Sequence, residues 1–195
     1  MRKKIFLGIA FFNLMGVLAI AQTPESIGNF GMVVEHVYRG ARLNEEADYK
    51  ALADLGVNTV ISLEKIRSDS QKLCKKYGLT CKKFPILLPG LPDVDKYFDY
   101  EMLKRAFQFL VQEVSEGETV YIHCFYGSDR TGALASAVTV RSYACGEKQK
   151  DYDPDAIWEL VESDLTFYGF HDALYQDLKN NIRSWVYTPP EWICQ

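Results

Sequence analysis

Residues 119–144 constrain the fold more than any other stretch, because there the chain runs from strand to tight loop to helix without a spacer. Residues 119–122 are β-branched and aromatic, as a buried strand requires. The run His123-Cys124-Phe125-Tyr126-Gly127-Ser128-Asp129-Arg130-Thr131-Gly132 follows at once. Residues 132–144 are rich in small side chains and apolar enough to form a buried helix, and Gly146 stands where a C-cap belongs. A strand feeding a helix in this way builds a sheet covered by helices. The rest of the chain keeps the alternation. Strands are expected at 32–37, 58–63 and 80–86, and helices at 44–55, 68–77, 97–114, from 153 through 160, and 173–182. Residues 22–31 read as a leader, and the Pro- and Gly-rich stretch 88–93 as a loop. A chain of 195 residues suggests one domain. The expected class is α/β, with a mainly parallel central sheet of four to five strands flanked by helices. Such sheets place ligands at the carboxyl ends of strands, where His123 and Cys124 fall.

The residues of the loop define its chemistry. Five residues separate Cys124 from Arg130. If the loop curls around a point, the N–H groups of Phe125, Tyr126, Gly127, Ser128, Asp129 and Arg130 converge into an anion-binding nest. A helix starting near Thr131 directs its positive end to the same point. Arg130 closes the ring with a planar fork matched to phosphate oxygens, and Gly127 permits the curl. The same field favours Cys124 as thiolate, the nucleophilic form. Attack on phosphorus would give a phosphocysteine intermediate, with Arg130 and the amides stabilising the transferring oxygens. Thr131 is expected to donate to the sulfur. His123 is expected to fix loop backbone rather than act as a base.

The N-terminus reads as a separate unit. Arg2, Lys3 and Lys4 precede sixteen almost wholly apolar residues, and Ala19-Ile20-Ala21 offers a cleavage site. Residues 1–21 are therefore expected to be a signal peptide, leaving 22–195 as the exported domain, periplasmic or secreted. No stable membrane insertion is expected after cleavage. Removing three basic and no acidic residues takes the formal charge from −4 to −7. An acidic surface of this kind argues against a nucleic-acid partner. An oxidising compartment favours disulfides. The five cysteines (Cys74, Cys81, Cys124, Cys145 and Cys194) leave at least one thiol unpaired. Cys74 and Cys81 are close enough for a local bridge, with two buried thiols as the alternative; the pairing of Cys145 and Cys194 stays open. No zinc-type spacing occurs, so neither a metal nor a cofactor is expected.

The His-Cys-x5-Arg-Thr-Gly run resembles the signature of the protein tyrosine phosphatase superfamily, in its small dual-specificity branch. The stretches Asn29-Phe30-Gly31-Met32-Val33-Val34, Tyr38-Arg39-Gly40-Ala41, Gly56 through Leu63, and Phe167-Tyr168-Gly169-Phe170-His171 are similar to small bacterial members, some of them secreted. The resemblance implies a single-domain dual-specificity-phosphatase-like fold. It also implies hydrolysis of phosphate monoesters and a general acid about thirty residues before the cysteine. Asp93, 31 positions before Cys124 and next to Pro92, is the preferred acid. Asp95, Asp99 and the loop's own Asp129 are the alternatives. The loop interior holds no lysine, unlike many inositol-phosphate phosphatases. That favours a substrate with one phosphate, a phosphotyrosine protein (with phosphoserine or phosphothreonine in addition) or a small phosphate ester. An inositol-phosphate or phosphoinositide substrate on the same fold is the alternative.

Overall fold

The structure, a computed structural model, describes residues 24–88 and 98–195. The expected signal segment 1–21 and the candidate acids Asp93 and Asp95 lie outside the described residues. The strands are β1 (Gly31–Val34), β2 (Val37–Gly40), β3 (Thr59–Glu64), β4 (Thr80–Ile86) and β5 (Val120–His123). The helices are α1 (Glu46–Asp54), α2 (Gln71–Lys76), α3 (Tyr100–Ser115), α4 (Asp129–Ala144), α5 (Pro154–Phe167), α6 (Gln176–Tyr187) and α7 (Glu191–Cys194), with a 3-10 turn at Gly146–Asp151 between α4 and α5. The sheet order is β1-β2-β5-β3-β4, and only β1 pairs antiparallel.

Strand β5 lies in the middle of the sheet and is buried on both faces, as a parallel sheet covered by helices demands. Its side chains alternate. Val120 and Ile122 enter the core packed by α3 to α6, and Tyr121 enters the smaller core packed by α1 and α2. Strand β3 divides in the same way, with Ile61 and Leu63 on one face and Val60 on the other. Each such fully buried aliphatic side chain contributes roughly 1.5–3 kcal/mol. Two registers, Gly40↔His123 and Ser62↔His123, hold the end of β5 level with the ends of β2 and β3. The loop after β5 therefore starts from a fixed platform.

Several expectations are corrected. The run 32–37 is a hairpin and not one strand: the chain reverses at Glu35 and His36, where His36 adopts φ 64°. Residues 24–30 are not a detached leader, since Ile27 is buried and Asn29 reaches the loop after β5. Helix α4 begins at Asp129, because the last loop residues already take helical geometry. Residues 171–174 form a turn, and α6 begins only at Gln176. Cys74 bridges Cys81, tying α2 to β4, and Cys145 bridges Cys194, tying the end of α4 to α7. Cys124 alone stays a free thiol. Among the described residues no helix is long and apolar enough to cross a membrane.

Candidate active site

Cys124 follows directly on β5, 2% exposed, at the carboxyl edge of the sheet. The next three carbonyls of the loop are each taken by a donor from outside it. Phe125 O accepts from the backbone N–H of Arg42 (3.3 Å), Tyr126 O from the Asn29 side-chain amide (2.9 Å), and Gly127 O from Arg39 Nη2 (2.9 Å). In a planar trans peptide the N–H points opposite to the preceding C=O. With these carbonyls drawn outward, the N–H groups of Tyr126, Gly127 and Ser128 are turned toward the loop interior. Helix α4 starts one residue later and aims its N-terminal end at the same space. The three loop carbonyls are thus held by donors that local sequence reading does not find.

Arg39 is the most deeply placed of those donors. It is fully buried, its Nη1 pairs with Asp164, and its guanidinium lies 3.9 Å from the Tyr168 ring centre. Burial pulls the Arg39 pKa down and the Asp164 pKa up, and their mutual attraction opposes both shifts. Asn29, held at φ 53°, also reaches Ser128 Oγ (3.3 Å) and Tyr168 O (3.2 Å). Gly127 adopts φ 77°, which a side chain at this point resists.

Arg130 donates from Nη1 to Leu63 O (3.4 Å) and Ile86 O (3.2 Å), the ends of β3 and β4. Its Nε is buried without a partner. The Nε–Nη2 edge is therefore the one left for two parallel bonds to an anion. The Thr131 hydroxyl is buried without a partner, so the expected bond to the Cys124 sulfur is not formed here. His123 lies with Nδ1 3.3 Å from Cys124 O and Nε2 3.2 Å from the Asp69 carboxylate, which places it on the backbone. Tyr121 donates to Ala41 O (2.5 Å), and burial pushes its pKa far up.

The candidate acids separate. Asp99 caps α3, accepting from Met102 N (2.8 Å), and does not line the cavity above the loop. Asp129 does line it, with both carboxylate oxygens engaged: Oδ1 accepts from His171 N (2.8 Å) and Oδ2 lies 3.0 Å from His171 Nδ1. His171 had a place in the family resemblance but no assigned role, and the structure brings it to the loop. The cavity, about 570 Å³, is also walled by Arg42, Lys65 and Arg67. Arg42 pairs with Glu64 (2.6 Å) and lies over the Phe125 ring at 3.8 Å. The loop interior lacks lysine, but the wall around it is basic. Exposed Ile66, Tyr126 and Leu174 add an apolar rim.

Solved structures share this fold. The core catalytic domain of the PP-IP phosphatase SIW14 from S. cerevisiae superposes with a TM-score of 0.57 at 15% identity, covering 85% of this chain and 87% of its own. TpbA of P. aeruginosa gives 0.58 at 21% identity, covering 82% and 85%. The active form of Tk-PTP gives 0.56 at 16% identity, covering 80% and 97%. Residues 35–144, more than half of the chain, match the family described as "Polymorphic toxin system, DSP-PTPase phosphatase". The chain therefore belongs to that family of phosphatases, within the protein tyrosine phosphatase superfamily.

Proposed function

We propose that the protein hydrolyses phosphate monoesters through a phosphocysteine on Cys124, with phosphotyrosine as the preferred substrate and phosphoserine or phosphothreonine as further ones. The observation that carries this reading is the set of outward-drawn carbonyls around one free thiol, with the Nε edge of Arg130 unpartnered beside it. The Cys124 thiolate attacks phosphorus as the P–O ester bond breaks. The amides of 125–130 and Arg130 carry the charge of the three transferring oxygens. Water then releases phosphate. Phe125, Tyr126, Ile66 and Leu174 offer an apolar surface beside the phosphate site, which suits an aryl ester. Cys124→Ser should abolish turnover, and vanadate should compete with substrate. Acid quench should trap one phosphoryl group on the wild-type chain. Full activity of Cys124→Ser would overturn the reading.

The basic wall supports a second substrate class. Lys65 and Arg67, unlike Arg42, have no carboxylate partner among the described residues, and could meet further phosphates on an inositol polyphosphate. Phosphate release from phosphotyrosine peptides and from inositol polyphosphates, measured side by side, decides between the two. We place the protein outside the cytoplasm, periplasmic or secreted, after removal of residues 1–21. The bridges Cys74–Cys81 and Cys145–Cys194 support that placement.

A further inference from the structure

We propose that the groove between α3 and α4, at the opposite end of the sheet from Cys124, binds a medium-chain fatty acid, with Arg141 holding the carboxylate. The groove is larger than the cavity above the loop, about 710 Å³ against about 570 Å³. Both volumes fall in the range of roughly 300–1,000 Å³ usual for small-ligand sites. Its walls come from the β1–β2 hairpin, the second half of α3 and the last turns of α4, with Cys145 and Cys194 along one side. Val37 fixes its place in the fold, since it pairs with Val120 at the start of β5, whereas Cys124 follows the end of that strand. Five lining residues are valines: Val34, Val37, Val111, Val114 and Val138. Their short side chains leave the space that longer ones would fill. Val34, Val111 and Val114 pack on the core but stay partly exposed.

The polar groups on the lining decide the chemistry of the ligand. Ser115 Oγ donates to Gln112 O (2.7 Å) and Ser142 Oγ to Thr139 O (2.8 Å), so both hydroxyl protons are used within their own helices. Arg141 is the one charged residue on the lining among the described residues. Its Nη1 donates to Ile193 O (2.5 Å) and Gln195 O (3.4 Å), which ties the guanidinium to α7. Nε and Nη2 donate to nothing among the described residues, and no carboxylate pairs with Arg141 there. That free edge matches the two oxygens of a carboxylate. A half-buried cation without a counter-charge, set against apolar walls, suits a ligand that brings an anion and an aliphatic chain together. From Val138 to Cys145 the groove follows α4 for about 10 Å, the reach of a medium chain rather than a long one.

The test is isothermal titration of the protein with octanoate, decanoate and dodecanoate below micelle formation, with decanol as the neutral chain. Affinity should rise roughly fourfold for each added methylene until the groove is filled. Decanoate should bind about tenfold more tightly than decanol, the weight of a hydrogen bond to a charged group. Arg141→Gln should remove that advantage and leave decanol binding in place, and Arg141→Lys should keep part of it. Val114→Phe, which fills the groove, should lose binding of every chain. Thermal denaturation reports whether each variant is folded, and Val114→Phe carries the test if Arg141→Gln is not. A variant with both Lys65→Ala and Arg67→Ala, on the cavity above the loop, should bind decanoate as the wild type does. Decanoate that binds no more tightly than decanol, or not at all, overturns the proposal. So does binding that is lost with Lys65 and Arg67 but kept in the groove variants.

Discussion

Gly127→Ala tests the geometry of the loop most directly. An ideal Cβ there would stand 2.4 Å from Gly40 C, 2.5 Å from Gly40 O and 2.7 Å from Ala41 N. All three are backbone atoms at the end of β2, in register with His123. None can rotate away, so β2 or the loop must move by at least ~0.6 Å to reach even a 3.0 Å contact. The residue also keeps φ 77°, which costs a non-glycine about 1–2 kcal/mol. Overpacking adds about 1–3 kcal/mol. Gly78→Ala separates the two effects, because Gly78 has φ 70° with nothing within 4 Å. Gly78→Ala should lose only the conformational part, and Gly127→Ala about 2–5 kcal/mol in all. For a chain of this size, each kcal/mol lowers Tm by about 2–4 °C. Thermal denaturation of both variants gives the comparison. Kinetics with an aryl phosphate should show kcat down by about 10²–10³ in Gly127→Ala only, the loss typical of one misplaced oxyanion donor. Equal Tm shifts with unaltered activity would refute the claim that this contact shapes the loop.

Two further outcomes follow from the packing. Asp164→Asn leaves the fully buried Arg39 without its counter-charge. Breaking a buried pair costs about 3–5 kcal/mol, and the lower end applies because Asp164 is 31% exposed. Urea denaturation should show that loss, and activity should fall with it, since Arg39 also holds Gly127 O. The disulfides should differ in worth. Chain entropy assigns about 4 kcal/mol to the bridge spanning 49 residues and about 2.5 kcal/mol to the one spanning 7. Replacing Cys145 and Cys194 by serine should lower Tm more than replacing Cys74 and Cys81.

The sequence made the centre of the site legible because its signals are local. A β-branched run, a glycine and a stretch of small residues stand side by side, and β5, the loop and α4 follow from them. The residues that shape the loop are far away in the chain. Asn29 reaches Tyr126 across 97 positions, Arg39 reaches Gly127 across 88, and His171 reaches Asp129 across 42. Asp164 meets Arg39 across 125. No periodicity joins such pairs. The hairpin at 35–36 was hidden for a different reason. No glycine, proline or asparagine marks the reversal, and the positive φ falls on a histidine. The lysine-free loop forms only part of the cavity wall, and Arg42, Lys65 and Arg67 join it from other segments.

A cysteine nucleophile working outside the cytoplasm, as proposed for Cys124, also faces oxidation, and the fold limits how that proceeds. All four remaining cysteines are committed to bridges. Cys74 and Cys81 belong to the core on the opposite face of the sheet from Cys124. Cys145 follows the sixteen residues of α4, about 24 Å from the loop. A sulfenic acid formed on Cys124 thus has no thiol within reach to convert it to an internal disulfide. What shields the sulfur is its burial, with Cys124 only 2% exposed. Peroxide should therefore inactivate the enzyme slowly, and phosphate or vanadate in the loop should slow it further. Thiol reductant added early should restore activity, and added late should not, because sulfenic acid without a resolving cysteine advances to sulfinic acid. Mass spectrometry of the oxidised chain should find added oxygen on the peptide carrying Cys124. A disulfide between Cys124 and any of the other four cysteines would show that the bridges exchange, and would sink this account.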